Sequence, residues 1–219
     1  MKLTSRRSPY VLAAMLVLAG TLSAQATDSN VVTIEEDWVI EMRSPDPDGH
    51  APQIINAMSS TQDLGDVHAM FELNHRTLPD YTAGGMQLQI WSHQTNLVHR
   101  PGPKGSRLNV ANEVIRYTMS MKMEGSILEF EVKNGSSSSW GAFGGEGYLK
   151  ASISTPQSNL AGYSPTVSVA KSRIGYAGHR VKKFALKEVR YYAADGTLLS
   201  KDTTERIVHL HEDHANFGG

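Results

Sequence analysis

The chain has 219 residues, with 21 Lys and Arg against 22 Asp and Glu, 40% hydrophobic residues and no cysteine. The missing cysteines exclude a disulfide scaffold, a thiolate metal site, a cysteine nucleophile and a lipid-modified cysteine anchor. The formal charge of -1 falls to -4 when Lys2, Arg6 and Arg7 of the first segment are set aside, the wrong sign for phosphate recognition, so no nucleic-acid partner is expected.

Residues 1–26 read as a signal peptide. Lys2, Arg6 and Arg7 form a positive n-region, Tyr10 to Leu22 an apolar run, and Ala24-Gln25-Ala26 a small-x-small cleavage site. The run is about 13 residues where a bilayer core needs about 20, and no later segment is apolar enough to span. Ser5-Arg6-Arg7 leaves the secretory and twin-arginine routes both open, with Pro9 where the twin-arginine signal usually has an aromatic residue. Cysteine-free export places the mature chain, from Thr27, in a bacterial periplasm or secreted outside the cell.

Period-two alternation broken by Gly, Pro, Asn and Asp clusters then recurs to the end, an all-β pattern. In the first strand Val32, Ile34, Trp38, Ile40 and Met42 share one face, and Glu35, Asp37, Glu41 and Arg43 the other. Ser44 to Pro52 is a turn, because its prolines cannot sit in a central strand. Strands are expected at Gln53 to Met58, His68 to His75, Met86 to Trp91, Glu113 to Met123 and Ile127 to Lys133. Asn134-Gly135 signals a turn. Strands resume at Tyr148 to Ser154, Thr166 to Ala170, Val181 to Tyr192 and Thr197 to Lys201, with Asp195-Gly196 closing the last hairpin. The pattern predicts one domain over 27–208, a jelly-roll sandwich of two antiparallel sheets, followed by a His-containing tail over 209–219. Trp38, Phe71, Leu88, Ile90, Phe130, Val132, Leu149 and Leu186 are the expected core. The row Ile115, Tyr117, Met119, Met121, Met123 reads as a core face, Met being a common filler of irregular gaps.

Three of these strands leave chemistry on their polar faces. Glu72, Asn74 and Arg76 oppose the apolar side of one; Gln87, Gln89, Trp91 and His93 oppose that of the next; Tyr148 and Lys150, with Ser152 and Ser154, oppose that of the third. On one sheet these amides, charges and rings would bond sugar hydroxyls and carboxylates and stack on pyranose faces. A plain solvated sheet face has the same alternation.

In order and content, Phe71-Glu72-Leu73-Asn74, Gln89-Ile90-Trp91 and Tyr148-Leu149-Lys150-Ala151-Ser152-Ile153-Ser154 resemble the alginate lyases of polysaccharide lyase family seven. That family carries R-T-E-L-R, Q-I-H and Y-F-K-A-G-x-Y on three strands of a jelly roll. The resemblance implies a groove for a uronate polymer. It departs at Met70 and Asn74, where the family has arginines, at Trp91 for its histidine and at Ser154 for its tyrosine. Gln89 matches. Arg76 is available in place of a lost arginine, and His93 or Tyr148 as base or acid for β-elimination. A second likeness, at Ile174-Gly175-Tyr176 and Leu186 to Arg190, is to concanavalin-type and laminin-G-type sandwiches.

Other constellations are weaker. Glu35, Asp37 and Glu41 resemble the carboxylate strand of jelly-roll glucanases, but their outer acids are too widely spaced. Asp46-Pro47-Asp48-Gly49 lacks the further oxygen ligands of a calcium loop. Gly144-Gly145-Glu146-Gly147 precedes no helix pattern and reads as a loop. His209, His211 and His214 offer ligands for zinc, nickel or copper, or form a polar tail beside the terminal glycines. No metal or cofactor is assigned. The expected partner is an extracellular polysaccharide, met by a binding protein, a divergent lyase, or a structural or adhesion protein without a small ligand.

Overall fold

Apolar residues at every second position build the strands, and the two faces they create decide how the layers stack. In β1 (Thr33–Met42), Ile34, Trp38, Ile40 and Met42 are buried while Glu35, Asp37 and Glu41 are only partly covered. The computed structural model describes residues 30–44, 52–62, 66–73, 85–102, 110–145 and 147–211. The signal peptide, the Asp46–Gly49 turn, Asn74, Arg76 and His214 lie outside the described residues.

Among the described residues two sheets form, with every strand pair antiparallel. The smaller is a meander of β2 (Gln53–Ser59), β3 (His68–Leu73), β4 (Met86–Ser92) and β5 (Thr95–Pro101), with β10 (Arg173–Tyr176) on the outer edge of β2. In the larger sheet β1 lies between β6 (Val114–Glu124) and β11 (Val181–Tyr192). Beyond β6 come β7 (Ile127–Ser137) and, against β7, β8 (Gly141–Phe143) and β9 (Lys150–Ser154). Beyond β11 come β12 (Leu198–Asp202) and β13 (Arg206–Leu210). The protein is an all-β jelly-roll sandwich, as the alternation predicts.

The inward faces of both sheets make one core. Phe71 of the smaller sheet meets Tyr117 of the larger edge-on at 5.0 Å, and Trp38 packs on Phe184 at 5.2 Å. All eight expected core residues are buried, and Met119, Met121 and Met123 pack in the same cluster. Among the described residues no helix is long and apolar enough to cross a membrane.

Five local expectations are corrected. Strand β5 is exposed along almost its whole length, so as an edge strand it has no apolar alternation to read. The Asn134-Gly135 signal is a bulge within β7: Arg116 pairs Ser136 and Thr118 pairs Lys133, leaving two residues opposite Tyr117, with Asn134 at φ 54°. Thr166 to Ala170 is part of a helix, α1 (Pro165–Lys171), whose buried residues are Pro165 and Ser168 and which leads into buried Ser172. That spacing is helical, but the small polar residues hide it from a hydrophobic pattern. Strand β9 starts at Lys150 because Leu149 takes a left-handed conformation, φ 53°, that turns the chain. Finally, β13 carries His209 into the larger sheet opposite Phe184, so the sheet extends past residue 208.

Candidate functional site

The apolar sides of β3 and β4 face the core, so their other sides meet on the outer face of the smaller sheet, in rows set by register. The first row runs Arg173, Ile55, Glu72, Gln87, Pro101; the second Ala57, Met70, Gln89, His99; the third Ser59, His68, Trp91, Asn96. Glu72, Gln87, Gln89 and Trp91 are therefore brought together as expected from their parity.

Hydrogen bonds organise this face. Gln87 donates from Nε2 to Glu72 Oε2 at 2.5 Å and accepts at Oε1 from His99 Nε2 at 2.7 Å. A carboxylate that only accepts fixes the amide orientation, and the amide oxygen then requires His99 to carry its proton on Nε2. In that tautomer Nδ1 is the acceptor nitrogen, on an exposed strand. Beside it, Trp91 Nε1 donates to Gln89 Oε1 at 2.7 Å, which orients both the indole and the amide. Burial pushes the Glu72 carboxyl up from its ordinary value, against the Gln87 bond and the Arg173 charge. Glu72 and Gln87 are almost completely buried, at 4% and 1% exposure, so they position His99 while Gln89, Trp91 and His99 are the groups a ligand reaches. His68, opposite Trp91, bonds the Asp66 carbonyl through Nδ1 at 2.9 Å. Burial lowers its pKa, and the Lys171 charge adds to the effect.

The other expected site residues go elsewhere. Strand β9 pairs with β7, so Lys150 belongs to the larger sheet, where it bonds Glu129 at 2.7 Å. The expectation that three strands share one sheet is corrected here, since alternation sets a side chain's face and carries no information on which sheet a strand joins. Tyr148 precedes the strand, and its hydroxyl accepts from Gly144 N at 2.8 Å. His93 occupies the β4–β5 turn at φ 51°, exposed and off the face. His99 is not legible in the sequence because its strand, β5, is exposed and carries no alternation. The signal was the two-residue His93-Gln94 turn, which folds β5 back so that His99 lies opposite Gln89, yet that turn lacks the usual Gly, Asn or Asp.

On the larger sheet's outer face, Glu35 and Asp37 are held in ion pairs. Arg190 reaches Glu35 at 3.0 Å, Asp37 at 2.5 Å and Glu188 at 2.8 Å, and Lys133 reaches Glu35 at 2.5 Å. Burial raises both carboxyls, but Lys133 and Arg190 at Glu35, and Arg190 and Thr118 at Asp37, outweigh it and hold them below their ordinary values. Neither is a protonated acid at neutral pH, which glycoside hydrolysis requires of one partner. His209 Nε2 contacts the Val181 carbonyl at 3.1 Å, and His211 lies against Arg43.

A third carboxyl is inside the sandwich. Glu36 shares the apolar row of β1, fully buried, and accepts from Trp38 Nε1 at 2.9 Å and Tyr163 Oη at 2.5 Å. Burial pushes it up to about 7, against Ser168, Tyr163, Trp38 and the Arg206 charge.

No protein-family model matches this chain, and no curated protein matches it.

Proposed function

We propose that this is an exported protein that binds an extracellular polysaccharide, a uronate polymer foremost, along the outer face of the five-stranded sheet. The observation that carries the reading is the cluster of oriented groups at Gln89, Trp91 and His99, in two adjacent rows: an indole to stack on a sugar ring, with an amide and an imidazole beside it to bond hydroxyls or a carboxylate. Arg173, exposed at the β10 end, adds a guanidinium suited to a carboxylate. The likeness to alginate lyases supports the uronate class.

His99 favours one second reading, β-elimination. Gln89 would polarise the uronate carboxylate, and His99 Nδ1 would take the neighbouring proton. The leaving oxygen also needs an acid. Tyr148 precedes β9 of the other sheet, and Tyr176 is on β10, four strand spacings or roughly 19 Å from β5. Binding is therefore the better-supported function.

Calorimetric titration of alginate, pectate and hyaluronan against wild type and Trp91→Ala tests the reading. The variant should bind about tenfold more weakly or worse, with stability within about 0.5 kcal/mol of wild type. New ultraviolet absorbance from an unsaturated uronate would favour the lyase. No binding to any acidic polysaccharide would leave the structural or adhesion role.

A further inference from the structure

The geometry points to a second binding site, for an uncharged sugar unit, in a cleft at the end of the sandwich. The cleft, of about 520 Å³, lies between residues 60–61 and 66–67 at the facing ends of β2 and β3, the end of β4 and the segment 155–162 that leads from β9 towards α1. That volume falls within the usual range of small-molecule sites.

Its lining sets polar side chains beside the apolar surface of Val67 and Pro156, and several of the polar groups are held in place. Gln157 Nε2 donates to the carbonyls of Ser60, at 3.1 Å, and Asn159, at 2.7 Å, which turns Oε1 into an oriented acceptor. Asn159 Oδ1 accepts from Ala161 N at 3.0 Å, leaving Nδ2 as the donor end, with only a long 3.4 Å contact to Ser158 Oγ. Thr61 donates to Asp66 Oδ2 at 2.6 Å, and Asp66 Oδ1 has no partner among the described residues. Ser92 adds a hydroxyl from β4. Oriented acceptors and donors in one cleft suit a ring of hydroxyls, each of which donates and accepts.

Charge decides between sugar classes. Asp66 is the charged residue of the lining, and no Lys, Arg or His lines the cleft among the described residues. A uronate carboxylate would meet a like charge with no cation to offset it, whereas a neutral sugar hydroxyl would donate to the same oxygen. The site uses none of the side chains of the polysaccharide face, although Ser92 and Val67 adjoin Trp91 and His68 of its third row.

The test is titration of the full-length protein with short neutral oligosaccharides of the gluco, manno, galacto and xylo series, followed by calorimetry and amide chemical shifts. At least one series should bind and move the resonances of Gln157 and Asn159. Affinity should fall about tenfold or more in Asp66→Asn and in Ser158→Tyr, which places a ring at the exposed lip, and should not change in Trp91→Ala. Unfolding midpoints identify any variant that fails to fold, in which case the other decides. The site is refuted if no neutral series binds at millimolar concentration, if binding survives both substitutions, or if uronate oligosaccharides compete equally. Trp91→Ala against acidic polysaccharides reports separately on the face, so the two readings fail independently.

Discussion

Replacing Glu36 with glutamine should make the protein more stable at alkaline pH and leave it unchanged in acid. The carboxyl titrates at about 7 in the folded protein against an ordinary value of 4.5, so the native state holds this proton more tightly than the unfolded chain. Stability from the protonated form is fully present below the unfolded pKa and is lost as pH rises through the folded value. At about 1.4 kcal/mol per pKa unit, the native penalty above pH ~7 is on the order of 3 kcal/mol. Glutamine mimics the protonated acid: its carbonyl accepts from Trp38 Nε1, its amide donates to Tyr163 Oη, and the phenolic hydrogen turns away. Urea unfolding of both proteins, followed by tryptophan fluorescence from about pH 4.5 to 8.5, gives the difference directly. The two should coincide near the acid end, with the variant ahead by up to about 3 kcal/mol near pH 8. A difference independent of pH, or one favouring wild type as pH rises, would refute the reasoning.

Truncating Phe130, 0% exposed, to alanine should cost about 3–5 kcal/mol in the same unfolding assay; under about 1 kcal/mol would mean it does not fill the core. Arg190→Ala takes one cation from three carboxylates, of which Glu35 keeps Lys133 and Glu188 keeps Lys201, and should cost about 1–2 kcal/mol at neutral pH. Because Glu35, Asp37 and Glu188 are held below their ordinary values, that cost should shrink as pH falls through the carboxylate range, which unfolding at about pH 3 would check. Gly135→Ala places a methyl against the Phe143 ring and should destabilise by about 1–3 kcal/mol, with Phe143→Ala in the same chain recovering part of the loss.

Alternation alone determined most of the strands and which side of each is buried, because a half-buried strand must place apolar residues at every second position. It was enough to put Phe71, Leu88 and Phe130 in the core and Gln87, Gln89 and Trp91 on a common outer face. It also made the methionine row of β6 legible as packing. Only the tertiary structure decided which strands share a sheet, and that choice moved Lys150 away from the face and brought His99 and Arg173 onto it. Strand pairing depends on turns and long-range packing, and neither leaves a local period in the chain. The same holds for Glu36, whose polar character conceals that it lies in the apolar row of β1. Its burial is tolerable because Trp38 and, from 127 residues away, Tyr163 supply the donors, a contact no local pattern records.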